Sequence, residues 1–133
     1  MDDQQKQSLV AAAVEARANA YAPYSKFHVG AAVLTASGEI HSGCNVENAS
    51  YGLTICAERI AAGAAVAAGG KKITAVAVAT PGGHSPCGAC RQFLAEFGGA
   101  MTVLLIDSDD PTNVNETSLD TLLPRQFEFP LKN

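Results

Sequence analysis

Cysteines stand at positions 44, 56, 87 and 90, and the last two belong to the run Cys87-Gly88-Ala89-Cys90. In the first turn of a helix that spacing turns both thiols to one face, which makes a bidentate grip suited to zinc. The pair alone is ambiguous, because the same spacing serves a redox couple or two buried small side chains. Cys56 offers a third ligand. It opens another Ala-rich helical stretch, so all three sulfurs would meet helix N-termini, where free N–H groups and partial positive charge favour a thiolate.

Glu58 follows Cys56 by two residues, roughly 200° around a helix, and so should not chelate beside it. In a first turn it can still reach a site beyond the helix end. A carboxylate held near a metal but off it can take a proton from bound water and return it to a leaving group. Taken alone, Glu58 is a solvated acid favoured by the helix dipole; its place beside the thiols favours the proton carrier. Three thiolates on Zn²⁺ leave a net charge of about −1, which weakens its Lewis acidity. Arg59 is the adjacent cation able to hydrogen-bond sulfur, or else an ordinary surface charge.

Asn45 and Glu47 lie two apart at an expected strand end and project from one face, with Cys44 and Val46 on the other. If the first pair lines a pocket at the metal, Cys44 points away and acts as a buried small hydrophobe. The rival arrangement has Cys44 completing a closed four-cysteine structural zinc. His28, His41 and His84 show no ligand spacing and read as structural or exposed.

The elements that must position these groups follow from periodicity and breakers. Residues 5–20 carry apolar side chains at helical spacing and stop before Pro23. Residues 27–35 and 39–46 flank Ala36-Ser37-Gly38, an antiparallel hairpin pattern. A helix is expected over 55–68, closed by Gly69-Gly70, then a buried strand over 73–80. A second helix over 87–97 ends at Gly98-Gly99, and 102–107 is another buried strand. The polar stretch 111–118 reads as a loop and 119–123 as a helical turn before Pro124. Alternation of strands and helices from about residue 39 implies right-handed crossovers and helices over a mixed, partly parallel sheet of the five-strand class, with strand order open.

The 133 residues are 47% hydrophobic and 17% charged, which fits a single domain over 1–133. Twenty-four alanines, no tryptophan and eight aromatic residues predict a core of small and aliphatic side chains that lets elements approach closely. Nine Lys and Arg against thirteen Asp and Glu, with no basic run longer than Lys71-Lys72, give no footprint for nucleic acid. No apolar run nears the ~20 residues of a membrane span, and the acidic start MDDQQKQSLV is unlike a targeting peptide. The expectation is a soluble cytoplasmic protein, where clustered thiols point to metal or catalysis rather than disulfides.

Four segments in order, YSKFHVGAAV (24–33), NVENASYG (45–52), CAER (56–59) and PCGACRQ (86–92), strongly resemble cytidine deaminase of the small homotetrameric, three-cysteine type. The resemblance spans almost the whole chain and includes Leu122-Leu123-Pro124 and Phe127 near its end. It implies a three-layer α/β/α sandwich with a mixed five-stranded sheet (cytidine deaminase-like). It implies one Zn²⁺ per subunit on Cys56, Cys87 and Cys90, with an activated water in the fourth position and Glu58 as the proton shuttle. It further implies that the Ala57 backbone contacts the base, that Phe27 packs on the pyrimidine, and that Asn45 and Glu47 hydrogen-bond the ribose. Tyr51 and Phe127 would serve active sites shared between subunits of a homotetramer. Cys44 stands where a small or apolar residue is expected.

The activity so implied is hydrolysis of cytidine and 2′-deoxycytidine, small-molecule nucleosides, to uridine and 2′-deoxyuridine with release of ammonia, in pyrimidine salvage. Two alternatives stand beside it: a deaminase of another cytosine nucleoside, and a non-catalytic zinc-stabilised binding module. The Asn45/Glu47 pair, suited to a ribose, argues against the first. An open metal position, with Cys44 uninvolved, would argue against the second.

Overall fold

Helix α1 (Asp3–Ala16) starts at a reciprocal cap: the Asp2 carboxylate accepts from the Gln5 N–H at 2.7 Å, and the Gln5 side-chain carbonyl accepts from the Asp2 N–H at 3.1 Å. The computed structural model describes residues 1–130; the remainder of the expected 1–133 domain lies outside the described residues. Residues 17–19 tighten into a 3-10 turn, so the α-helix ends earlier than periodicity suggests. The hairpin follows as β1 (Gly30–Thr35) and β2 (Ile40–Cys44), shorter at its outer ends than expected. Next come α2 (Ala57–Ala67), β3 (Ile73–Thr80), α3 (Gly88–Gly98) and β4 (Thr102–Asp107). Helix α2 begins at Ala57 rather than 55 because Ile55 is still extended, exchanging both backbone hydrogen bonds with Val46 at 2.9 Å.

With a fifth strand, β5 (Val114–Ser118), the sheet has the order β2-β1-β3-β4-β5, with β3 and β4 parallel across α3 and the other neighbours antiparallel. Strand β5 corrects the loop expected over 111–118. It is an edge strand with a polar sequence, Val-Asn-Glu-Thr-Ser, and shows none of the apolar alternation that reveals a half-buried strand. Only its ladder with β4, from Thr102↔Ser118 to Ile106↔Val114, makes it a strand. A single turn, α4 (Leu119–Leu122), follows as expected.

Side-chain alternation divides the sheet into two apolar faces. Ala31, Val33, Val76, Val78 and Val103 pack with Ala57, Ala61 and Ala65 of α2 and Leu94 of α3. Ala32, Leu34, Ala77, Leu104 and Ile106 pack with Leu9 and Ala13 of α1. The result is the three-layer sandwich that the resemblance implied. Small residues set its spacing: a Cβ on Gly43 of β2 would lie 2.6 Å from the Ala61 nitrogen and 2.9 Å from the Ala57 carbonyl. Helix α2 therefore rests directly on the β2 backbone, and that contact fixes where its N-terminus stands.

Candidate functional site

At one end of the sheet the N-termini of α2 and α3 meet the chain leaving β2 and the end of β3, the usual place for ligands in sheets with parallel crossovers. Cys56 is the N-cap residue of α2 and Cys87 that of α3, and neither helix start is closed by a side-chain cap. Cys90 lies in the first turn of α3 and is buried. The Cys56 and Cys87 sulfurs are 4.0 Å apart, those of Cys87 and Cys90 3.4 Å, and all three lie within 4.8 Å of one another. Among the described residues this is the one cluster of three or more metal-ligating side chains, and Cys44 is not in it. Cys44 is half-buried, opposite Gly30 in the β1–β2 ladder, more open than the buried small hydrophobe expected.

The charges around the sulfurs suit a thiophilic cation. A hydrogen bond from Cys90, joined by the Arg59 guanidinium, pulls the Cys56 thiol down to about 5. The partnership with Cys56, together with burial, pushes Cys90 well above the ordinary thiol range. Cys56 and Cys90 thus share one negative charge between them, and a divalent ion would relieve that by replacing their protons. The Arg59 Nη2 donates to Cys56 Sγ at 3.6 Å, while its buried Nε has no partner. Three soft donors beside an under-used guanidinium fit zinc, whose tetrahedral preference leaves a fourth position.

Glu58 is only 4% exposed and stands outside the sulfur cluster, as its helical offset predicts. Burial pushes its carboxyl up to about 7. It lines a pocket of about 230 Å³ together with Phe27, Asn45, Ala57, Cys56 and Cys87. A larger cavity of about 760 Å³, between α1 and residues 111–114, has no thiol and no clustered reactive group, so its size carries no chemistry.

Asn45 is buried, and its amide spans the extended segment that leads into β1. Its Oδ1 accepts from the Val29 N–H at 3.0 Å and its Nδ2 donates to the Phe27 carbonyl at 2.8 Å. One donor and one acceptor site of that amide remain. Glu47 does not share the sulfur pocket. It lines an adjoining hollow of about 380 Å³ with Tyr24, Ser25 and Tyr51, and Thr54 borders both spaces. Its carboxylate accepts from the Tyr24 N–H at 2.9 Å, the Ser25 N–H at 3.1 Å and the Ser25 hydroxyl, and the Ser25 hydroxyl bond above all holds it below the usual carboxylate range. Tyr51 is 81% exposed at the edge of this hollow. Phe127 is 70% exposed and lines neither space.

Thr54, Thr80, His84 and Ser85 also line the sulfur pocket. His84 is exposed, as expected, and at the pocket rim presents its ring to Phe27 with centroids 6.3 Å apart and planes tilted by 49°. Gly82 and Gly83, with φ of +87° and +71°, turn the chain sharply after β3, and the Thr80 hydroxyl accepts from the His84 N–H at 2.7 Å. The signal available in the sequence was position: so short a turn before Ser85-Pro86-Cys87 leaves its residues nowhere else to go.

The family profile described as "Cytidine and deoxycytidylate deaminase zinc-binding region" matches residues 3–106. A cytidine deaminase of Sporosarcina psychrophila is 48% identical over 124 residues, covering 91% of this chain and 90% of the relative. One of Mycobacterium tuberculosis is 47% identical over 119 residues, covering 86% and 84%. Among solved structures, cytidine deaminase from Burkholderia pseudomallei superposes with a TM-score of 0.84 at 47% identity, covering 96% of this chain and all of the other.

Proposed function

This chain belongs to the cytidine and deoxycytidylate deaminase family, and we propose that it hydrolyses cytidine and 2′-deoxycytidine to uridine and 2′-deoxyuridine with release of ammonia. The observation that carries this reading is three cysteine sulfurs mutually within 4.8 Å beside a buried carboxyl, Glu58, on the wall of the same pocket. Cys56, Cys87 and Cys90 would hold one zinc ion per chain, which would make a bound water acidic enough to attack at neutral pH.

Glu58 does the proton work. Burial raises this carboxyl towards neutrality, which suits it both to accept and to give a proton. It takes one proton from the attacking water to ring N3 as C4 becomes tetrahedral, and carries the second to the departing 4-amino group. The water's oxygen stays on C4, and its two protons end on N3 and on ammonia. Arg59 offsets the charge of the third thiolate through its contact with Cys56.

Phe27 gives the pyrimidine a flat apolar wall and the backbone of Ala57 meets its polar edge. At about 230 Å³ the sulfur pocket suits the base rather than the whole nucleoside. The ribose then extends past Thr54, where Asn45 and Glu47 receive its hydroxyls. We further infer a homotetramer in which Tyr51 and Phe127 serve sites shared with neighbouring chains. Support comes from their exposure and from how little material one small domain has to enclose a ligand. Pyrimidine salvage in the cytoplasm is the proposed setting, favoured by four free thiols, three of which must stay reduced. Among the described residues no helix is long and apolar enough to cross a membrane.

The deciding experiment is an ultraviolet assay with cytidine before and after chelation. Deamination should track zinc content, vanish on its removal and return on its restoration. A zinc-loaded protein inert towards both nucleosides would overturn the reading.

A further inference from the structure

Arg91 lies in the second turn of α3, and its guanidinium donates in three directions. Nε reaches the Pro86 carbonyl at 2.8 Å, Nη1 the Leu122 carbonyl at 2.8 Å, and Nη2 the Ser85 hydroxyl at 3.1 Å. Its own N–H bonds to the Cys87 carbonyl at 3.0 Å. One planar group thus joins the segment entering the cysteine pair, the helix that carries that pair, and the end of α4.

Pro86 is buried, and hydrogen bonds from Gly82, Gly83 and His84 to Asp107 and Thr80 restrain the turn before it; the Ser85 hydroxyl and the Pro86 carbonyl are held by Arg91. The chain enters the Ser85-Pro86 segment through two glycines of positive φ, and Pro86 has no N–H with which to anchor itself. Cys87 is exposed, and no side chain caps its helix. The Leu122 carbonyl belongs to the last turn of a four-residue helix, where carbonyls lack intrahelical partners, so the guanidinium satisfies an orphan acceptor while fixing α4.

We propose that Arg91 is a positioning residue of the zinc centre: by pinning Ser85-Pro86 to α3 and α4 it holds the Cys87 sulfur within reach of Cys56 and Cys90. A lysine cannot replace it, because a single ammonium lacks the rigid fork that serves three acceptors at once. The inference rests on the zinc site proposed above and adds a residue that touches neither metal nor substrate.

The test is zinc release from the purified holoprotein to a chromophoric chelator, well below the melting temperature, with circular dichroism confirming the fold. Arg91→Gln should release zinc about 10–100-fold faster than the parent, the range typical of losing a group that orients metal ligands. Arg91→Lys should release it faster by a smaller factor, which keeps the test available if the Gln variant folds poorly. Arg17 is a control, since its Nε also donates to a backbone carbonyl, that of His28 at 2.8 Å, and it lines neither the sulfur pocket nor the adjoining hollow. Arg17→Gln should release zinc at the parental rate. Release from both Arg91 variants at the parental rate would overturn the role of Arg91 alone; a parent without stoichiometric zinc would overturn the site itself.

Discussion

Arg59 Nη2 stands 3.6 Å from the sulfur of Cys56, across the first turn of α2, with the Nε of the same guanidinium buried and unpartnered. Cys56 is the N-cap residue of the helix and Arg59 lies three residues on, so the geometry of one helical turn brings cation and thiol together.

Removing that cation should change acidity more than metal content. Arg59→Gln is expected to keep zinc while moving the pH–activity profile to higher pH, because the more electron-rich metal ionises its water less readily. An unchanged profile at an unchanged rate would mean that the two helix N-termini suffice.

Glu58→Gln should retain zinc and lose most of the chemical step. A general acid–base group typically contributes about 10²–10⁴-fold, and since one carboxyl here serves several transfers, a loss at or above the upper end is expected. Metal analysis alongside single-turnover rates decides it; normal turnover with zinc bound would remove Glu58 from the mechanism.

The same carboxyl should be visible in the stability of zinc-stripped protein. Its folded pKa, about 7, lies above its ordinary value of 4.5, so the folded state holds the proton more tightly. Its contribution is full below pH 4.5 and is lost as pH rises through 7, a change of up to about 3 kcal/mol. Urea titrations of parent and Glu58→Gln across this window should diverge in that direction. Parallel curves would mean that the carboxyl is solvated.

Gly43→Ala should be costly for so small a change. The added methyl meets backbone atoms of α2 at 2.6 and 2.9 Å, and overpacking of this kind costs typically 1–3 kcal/mol. Because the strain bears on the end of α2 that carries Cys56, weaker zinc binding should accompany the lower melting temperature. Neither effect is expected from Gly63→Ala, where a Cβ meets nothing within 4 Å.

Sharing of sites can be read by complementation. Glu58→Gln chains refolded with Phe127→Ala chains should regain activity above the average of the two mutants, because some mixed sites combine an intact Glu58 with an intact Phe127. Mixed oligomers without such recovery would confine Phe127 to its own chain.

The chemistry was legible in one dimension because its parts are local. Cys87 and Cys90 share a helical turn, Glu58 and Arg59 share one with Cys56, and the glycine and proline breakers place both turns at helix starts. The buried strands Ile73–Thr80 and Thr102–Asp107 were legible for the same reason, as continuous apolar runs between breakers. What needed the tertiary structure was every relation between distant segments. Edge strand β5 is defined by backbone pairing to β4, which a polar sequence cannot announce. His84 reached the pocket rim because two left-handed glycines fold its ring towards Phe27. Glu47 and Asn45, neighbours in sequence, were divided between two spaces by the hydrogen bonds that Ser25 and Phe27 offer them. Sequence spacing determines which groups can share a turn or a strand face; which turns meet is decided by packing across the sheet, where Gly43 lets α2 settle and Arg91 ties α3 to α4.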